Sequence, residues 1–253
     1  MALRIGPQDI LQGRLPPLEE GPYKTSSSAL HDLKFIGPLR EWPCFFQEVA
    51  STYNAQKWNE TTLGHKTGDP SAPIPELVHT GDEHGVQGRF LQAVGHSVSA
   101  ALNAQGINLV FADFKCTGTK YSCTPDVVVM QKEGNLRVVW ELKVPWVEVH
   151  KLHQLIKDED DFRQVLGQPL KYMRELYQNY GFISTYDETI FLRQRLVDGK
   201  WIAEFSPIVS SETTFAENAP IYAPVVSAKQ CFFHVAIAAT GPQGPVNDTR
   251  CSK

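Results

Sequence analysis

The stretch PDVVVMQKEGNLRVVWELKVPW, residues 125–146, decides the fold of this chain. It contains two valine-rich runs, 127–130 and 136–144, which are separated by a short loop around Gly134. Runs of β-branched residues favour strands, and a short glycine-containing loop between two such runs is typical of a β-hairpin. The sequence therefore predicts two antiparallel strands that lie side by side.

The second run has two chemically different faces, because alternate residues of a strand point to the same side. One face is apolar and suits a core; it consists of Leu136, Val138, Trp140, Leu142 and Val144. From the other face, which we expect to be the non-core side, Glu141 and Lys143 project together. Asp126 begins the neighbouring strand and can approach Glu141 across the hairpin.

These three polar residues have the chemistry of a hydrolytic site. Two carboxylates that meet at a strand pair can hold a hard divalent cation such as Mg²⁺, and an ammonium two residues along can orient a water beside it. Asp126, Glu141 and Lys143 thus indicate metal-assisted hydrolysis of a phosphodiester. The same residues also fit an ordinary half-exposed strand, since Glu-x-Lys is common there and Pro-Asp often begins a strand.

Outside the hairpin, helical and strand patterns alternate. Apolar periodicity predicts helices over residues 41–58, 82–105, 159–179 and 226–239, with Gly181 stopping the third. Alternating or apolar runs predict further strands over 107–114, 182–186, 189–196 and 201–205, with Asp198-Gly199 as a tight turn. The order helix, strands, helix, strands predicts one mixed α/β domain.

Composition divides the chain into three parts. Residues 1–40 are rich in Pro and Gly and are expected to form a partly flexible arm, 41–240 the domain, and 241–253 a disordered tail. The formal net charge of −4 argues against a strongly basic nucleic-acid coat, but it allows a local basic groove. Five cysteines without a short paired spacing are expected to be free thiols.

Three further residues strengthen the case for a site. Glu83 begins the predicted helix 82–105, where an acidic residue is also favoured by the helix dipole alone. Gln168 and Tyr172 are four residues apart on a predicted helix and so share a face, although most helical glutamines are merely solvated.

The ordered series Glu83, Pro125-Asp126, Glu141-Leu142-Lys143 and Gln168-x-x-x-Tyr172 resembles the PD-(D/E)XK, or restriction-endonuclease-like, nuclease superfamily. More narrowly, VWELKVPW (139–146) followed by LGQPLKYMRELYQNYGFISTYDETIFLR (166–193) is similar to nuclease-like domains of fungal proteins, which often precede a protein-kinase-like domain. The resemblance covers 83–193 well and continues loosely to Ala239. It implies a restriction-endonuclease-like core, with a mixed central β-sheet flanked by helices, an extra β-meander and a C-terminal helix.

The resemblance also implies a role for each matching residue. Asp126 and Glu141 would be ligands of Mg²⁺ or Mn²⁺, with the carbonyl of Leu142 and the carboxylate of Glu83 adding to the metal site. Lys143 would position the attacking water, and Gln168 would brace the site from the following helix. The implied activity is hydrolysis of DNA or RNA, and a nuclease that makes two cuts would favour a homodimer.

A second function stays open at this point. The fold could serve as a catalytically silent module that binds a protein or a nucleic acid, which the acidic balance allows. The chain has no apolar run of the roughly 20 residues that span a bilayer and no signal-peptide pattern. We therefore expect an intracellular protein of the cytoplasm or nucleus that does not enter a membrane.

Two other sets of polar residues were weighed as candidate sites. His150 and His153 are three residues apart and could bind a metal, but a surface location without a third ligand is the favoured interpretation. Arg193 and Arg195 alternate on one predicted strand and could contact a phosphate backbone or be ordinary solvated charges.

Overall fold

The computed structural model describes residues 3–26, 32–65, 78–241 and 247. The strands of these ranges are β1 (Leu3–Ile5), β2 (Glu19–Glu20), β3 (Leu39–Glu41), β4 (Leu63–His65), β5 (His79–Thr80), β6 (Val110–Ala112), β7 (Val127–Met130), β8 (Leu136–Leu142), β9 (Tyr180–Ser184), β10 (Glu188–Val197), β11 (Lys200–Phe205) and β12 (Val209–Ser210). The α-helices are α1 (Pro7–Gln12), α2 (Phe45–Asn54), α3 (Glu83–Phe90), α4 (His96–Ala104), α5 (Leu152–Leu155), α6 (Glu159–Val165), α7 (Gly167–Glu175) and α8 (Ala228–Ala238).

A mixed central sheet organises the fold, with strand order β3-β11-β10-β9-β8-β7-β6 and β12 paired to β10. The predicted hairpin is confirmed, because β7 and β8 are antiparallel neighbours. Strand β9 runs parallel to β8, and α5, α6 and α7 make the crossover that a parallel pair requires. Strands β9, β10 and β11 then form an antiparallel meander, and α8 follows near the C-terminus. The expected mixed α/β architecture, a mixed sheet flanked by helices, is confirmed.

Helices cover both faces of the sheet, so β8 is buried on both sides. Four residues of the predicted apolar face, Val138, Trp140, Leu142 and Val144, pack in a core with the helices α3, α4 and α8, where the Trp140 ring stacks on Phe182 at 4.1 Å. Leu136 was wrongly assigned to this face: it packs in the other core, next to the register irregularity between Val129 and Met130. The opposite face, represented by Val139, packs in a second core with α6 and α7. The expectation of a non-core side for Glu141 and Lys143 was therefore wrong, because the crossover helices cover it.

The long helices match the apolar periodicity in place but differ in detail. The predicted helix 82–105 is confirmed as α3 and α4, joined without a break by a π-helical turn at Leu91–Gly95. The predicted helix 159–179 is divided into α6 and α7, and it ends before Gly181, which lies inside strand β9. A Cβ on Gly167, at the start of α7, would collide with the carbonyl of Leu33. Glycine is therefore required there because another chain segment crosses the helix.

The N-terminal residues contribute to the same body. Leu11 and Leu15 are buried in the core on the α8 side, β1 pairs with β4, and β2 pairs with β5. Of the predicted tail 241–253, only Gly241 and Asn247 lie among the described residues. The predicted Asp198-Gly199 turn is confirmed, and both residues have the positive φ angles, 50° and 75°, that such a hairpin turn needs.

Candidate active site

Asp126 and Glu141 face each other across the β7–β8 ladder. The register pairs Val127 with Trp140, and one further step along the strands places Asp126 opposite Glu141. The regular ladder ends at the pair Val127 and Trp140, and the backbone N–H of Asp126 donates to the carbonyl of Trp140 at 3.3 Å, which keeps the two strands together beyond it. The two carboxylates therefore project from the same face of the sheet.

Two hydrogen bonds from neighbouring residues hold Asp126. The backbone N–H of Leu142 donates to Asp126 Oδ2 at 2.7 Å, and the side-chain amide of Gln87 donates to the Asp126 carbonyl. Because N–H and C=O of one strand residue point to the same side, the carbonyl of Leu142 also faces the β7 side. Burial raises the pKa of Asp126 to about 6, although the hydrogen bond from Leu142 opposes that rise.

Glu141 and Lys143 form a buried ion pair at the end of β8. Lys143 Nζ lies 2.6 Å from Glu141 Oε1, and the two residues are only 7% and 3% exposed. The backbone N–H of Lys143 donates to the carbonyl of Ser184 at 2.9 Å, so β9 fixes the strand here. Burial and the nearby Asp126 raise the pKa of Glu141. Burial disfavours the charged form of Lys143, but Glu141 and Glu83 outweigh it and raise the Lys143 pKa.

Helix α3 brings a third carboxylate to the pair. Asp82 caps the helix by accepting from the N–H of Gly85 at 2.7 Å, and Glu83 follows as the first helical residue. A carboxylate oxygen of Glu83 lies 3.7 Å from Lys143 Nζ, and its side chain is half-exposed. Gln87 lies one turn later on the same helix face and bonds to Asp126, which ties the position of α3 to the strand pair.

An open cleft of about 530 Å³ connects these groups to solvent. Gln168 and Tyr172 of α7 line it, and Gln168 Nε2 donates to the Tyr172 hydroxyl at 2.5 Å. Burial and the facing Glu141 raise the pKa of Tyr172, so the phenol stays protonated at neutral pH. The structure thus brings together all the sequence-predicted residues: Glu83, Asp126, Glu141, Leu142, Lys143 and Gln168.

The cleft also has lining residues that sequence reasoning missed: Leu33, Cys123, Thr124 and Lys171. Lys171 lies three residues after Gln168 and shares its side of the helix, but a helical lysine is usually solvated, so this spacing alone is a weak signal. Its Nζ is 3.7 Å from the sulfur of Cys123. Leu33 carries no such signal, because a segment distant in sequence brings it to the cleft.

The other polar candidates have structural roles. His150 was expected at the surface but is buried, with Nδ1 3.2 Å from the carbonyl of Val144, because the turn after β8 folds over it. His153 is exposed and pairs with Glu188 at 2.6 Å. Arg193 is neither solvated nor free for phosphate, since Glu204 and Glu48 bind its guanidinium, which also stacks 4.1 Å from the Trp42 ring.

Asp126, Glu141 and the carbonyl of Leu142 offer oxygen ligands for a divalent cation. Two carboxylates and a strand carbonyl are the hard oxygen ligands that Mg²⁺ and Mn²⁺ prefer. Burial, and then repulsion between the acids, raises the pKa of Asp126 and of Glu141. Within the described ranges, no three His, Cys, Asp or Glu side chains are grouped closely enough to hold a metal. In this structure the Lys143 ammonium contacts both Glu141 and Glu83. Asp126 and Glu141 could serve as ligands of a cation only if that ammonium left Glu141.

Comparison with known proteins adds no family assignment. Neither a family model, nor a curated protein, nor a solved structure was found to match the chain. In the part of the chain that the structure describes, no helix combines the length and apolar character needed to cross a membrane.

Proposed function

We propose that this chain is a Mg²⁺- or Mn²⁺-dependent nuclease of the PD-(D/E)XK type, built on a restriction-endonuclease-like core. One observation carries the proposal: Asp126 and Glu141 face each other on one sheet face, with Lys143 Nζ 2.6 Å from Glu141, at the base of an open cleft. Burying two acids and an amine lowers the stability of the fold. Such a cost is often found where the groups serve a function.

The acids would hold the cation. Asp126 and Glu141 would supply two carboxylates, and the Leu142 carbonyl faces the same side. Glu83, which lies 3.7 Å from Lys143 Nζ, would bind a water molecule that the cation coordinates. A bound Mg²⁺ or Mn²⁺ would neutralise charge on the phosphate and lower the pKa of a water. Both acids must be ionised to bind a cation. The pKa of Asp126 is raised to about 6, which allows this at neutral pH, whereas that of Glu141 is raised to about 8, so the cation would have to displace a proton from Glu141.

Lys143 would act on the attacking water and on the phosphate. Its raised pKa keeps it as an ammonium, which donates hydrogen bonds but does not remove a proton at neutral pH. We therefore assign Lys143 to orienting the water and stabilising the charge that develops on the phosphate oxygens. Gln168 and the Tyr172 hydroxyl form the opposite wall of the cleft, where they brace the site.

The test is a cleavage assay on plasmid DNA, single-stranded DNA and RNA, with Mg²⁺ or Mn²⁺. Glu141→Gln and Lys143→Gln keep side-chain size and are expected to lower the rate by at least about a hundredfold, since each removes a charge that acts in the transition state. Lys132→Gln is the matched control. Lys132 is exposed, and among the described residues its side chain bonds to Asn103.

The controls separate chemistry from folding. Each variant must unfold at a temperature close to that of the wild type, because Glu141 and Lys143 are buried and the loss of one partner can destabilise the other. Cleavage that survives in both variants would show a contaminant or a different site. Cleavage that disappears equally in Lys132→Gln would contradict the assignment of Lys143.

A specific observation also favours the alternative, a catalytically silent module that binds a protein or nucleic acid. Lys143 already neutralises Glu141, and no ready-made set of three ligand side chains occurs among the described residues. Calorimetric titration with Mn²⁺ separates the two functions. Heat that disappears in Glu141→Gln supports the nuclease, whereas no heat in the wild type at millimolar Mn²⁺ supports the silent module.

A further inference from the structure

A second cavity opens directly beside the cleft. It has a volume of about 200 Å³ and lies between the segment 33–38, helix α7 and strand β11. Its wall is largely apolar and includes Phe35, Leu170, Trp201 and Ile202. We call this cavity the groove.

The groove and the cleft are contiguous. Leu33 and Lys171 line both of them, and α7 forms the shared wall. Gln168 and Tyr172 face the cleft, whereas Leu170 and Arg174 face the groove. Lys171 stands at the border of the two cavities, so a ligand bound to it has both within reach.

The groove is basic although the chain as a whole is acidic. Its described lining includes Lys34, Lys171 and Arg174 and contains no Asp or Glu, whereas the whole chain has a net charge of −4. Lys34 pairs with Asp160, and Arg174 contacts Glu175. Within the described residues, Lys171 forms no ion pair, and its recorded contact is with the sulfur of Cys123. Its charge is therefore available to an anion at the junction of the two cavities.

We propose that the groove binds an unpaired nucleobase and that Lys171 binds the phosphate next to the scissile one. An apolar cavity with aromatic walls stacks a base of any sequence, and a lysine at its mouth matches the phosphate that carries that base. A base within a duplex is stacked and paired and cannot enter a side cavity without being flipped out. The substrate class is therefore single-stranded nucleic acid, or duplex with an unpaired nucleotide. This inference rests on the proposed function, because it takes the cleft as the phosphodiester site.

The test is binding, measured by fluorescence anisotropy in EDTA with the Glu141→Gln protein, so that no cleavage occurs. A labelled single strand is expected to bind at least about fivefold more tightly than a duplex of the same sequence. Trp201→Ala should weaken binding of the single strand about fivefold or more, through lost stacking. Tyr222→Ala is the matched control, since Tyr222 is 81% exposed and lines neither cavity.

The base and the phosphate are tested separately. Oligonucleotides with one abasic nucleotide at a time should identify a position where removal of the base costs as much as Trp201→Ala, and where the two changes together cost no more than either alone. Lys171→Gln should reduce the slope of log K against log salt by about 0.7, the value for one phosphate contact on a single strand, whereas Lys132→Gln should not.

The outcomes distinguish this inference from the proposed function. Cleavage together with equal affinity for single strand and duplex, or with no difference between Trp201→Ala and Tyr222→Ala, would overturn the base site and leave the nuclease in place. Trp201-dependent binding of single strands without any cleavage would keep the base site and point to the silent module.

Discussion

At the scale of single residues, the candidate site is a group of charges that burial forces to interact. The Lys143 ammonium contacts Glu141 and Glu83, Asp126 lines the same cleft, and Glu141 and Lys143 are almost fully buried. When all four groups are ionised, negative charge is in excess in a place that water solvates poorly. Burial is the main reason why the pKa of both Asp126 and Glu141 is raised, and repulsion between the acids raises both values further.

The raised pKa of Asp126 predicts how the metal-free protein responds to pH. Asp126 has a pKa of about 6 in the folded protein and 3.8 without the fold. Between these values the folded protein retains a proton that the unfolded chain has lost, so the free energy of unfolding falls as the pH rises through this window. Asp126→Asn stays neutral in both states and should reduce this fall, measured by thermal unfolding in EDTA from about pH 4 to pH 7.

The control for this prediction is Asp160→Asn. The Asp160 side chain is 79% exposed, so its removal should leave the pH dependence of the wild type nearly unchanged. Glu141 contributes with the same sign, and some decline should therefore persist in Asp126→Asn. A variant whose unfolding temperature declines as steeply as that of the wild type would show that Asp126 ionises normally.

Strand alternation alone predicted that Glu141 and Lys143 share a face, and the glycine loop predicted that Asp126 faces them. Strand alternation did not predict the burial of Glu141 and Lys143. Polar residues on one face of a strand suggest that this face is exposed to solvent, and the sequence does not show that helices cover it. Lys171 was missed for a related reason. A lysine on an amphipathic helix is usually solvated, and only the placement of α7 beside the cleft gives this one a role.

At the scale of elements, helix α7 determines how the cleft is built. It carries Gln168, Lys171 and Tyr172 and packs directly on β8 and β9. Gly181 of β9 makes this contact possible. A Cβ at this position would lie 2.7 Å from the sulfur of Met173 and 2.8 Å from the carbonyl of Val139.

Gly181→Ala should therefore separate α7 from the sheet. Because the carbonyl of Val139 belongs to the sheet backbone and cannot rotate away, we expect the free energy of unfolding to fall by about 1–3 kcal/mol. The displaced helix should also lower cleavage, through Gln168 and Tyr172. Denaturant unfolding and the plasmid assay measure the two effects.

Gly88→Ala provides the matched control, because a Cβ on Gly88, within helix α3, would meet no atom within 4 Å. Alanine favours the helical backbone there, and the change should be neutral or stabilise the protein by up to about 1 kcal/mol. Equal destabilisation by the two substitutions would mean that contact with Met173 and Val139 is not the cause.

The sequence predicted the presence of the helices and strands more accurately than the residues at which they begin and end. Periodicity gave the helix 82–105 correctly, because a long apolar stripe is a strong signal. It joined α6 to α7 because the apolar pattern continues across Leu166, although Pro169, which has no N–H to donate to the carbonyl of Val165, marks the break in the sequence. Gly181 was assigned to a helix end because glycine is common there, whereas its actual reason is a close contact between two elements.

At the scale of the whole molecule, contacts between segments that are distant in sequence determine features of the fold that the local sequence pattern does not predict. Nothing in residues 1–40 predicts that Leu11 and Leu15 enter the core, or that Leu39–Glu41 adds a parallel edge strand beside β11. These contacts join segments more than a hundred residues apart. They also bring the segment 33–38 over α7, and this placement closes the groove beside the cleft.

A bound cation should stabilise the whole fold, because it relieves repulsion that only the folded state contains. At a concentration about a hundred times its Kd, a ligand adds about 2.7 kcal/mol, or roughly 5–10 °C in Tm for a domain of this size. The rise should be large at about pH 7.5 and much smaller at about pH 5, where Asp126 keeps its proton and competes with the metal.

Variants identify where the cation binds. Glu141→Gln should abolish the rise in Tm at both pH values, whereas Asp160→Asn should keep it, since its carboxylate is exposed and does not line the cleft. An equal rise in the wild type and in Glu141→Gln would place the ion elsewhere on the protein. A wild type that shows no rise with Mg²⁺ or Mn²⁺ would mean that Lys143 alone balances the acids, and the hydrolytic proposal would then have no metal to act with.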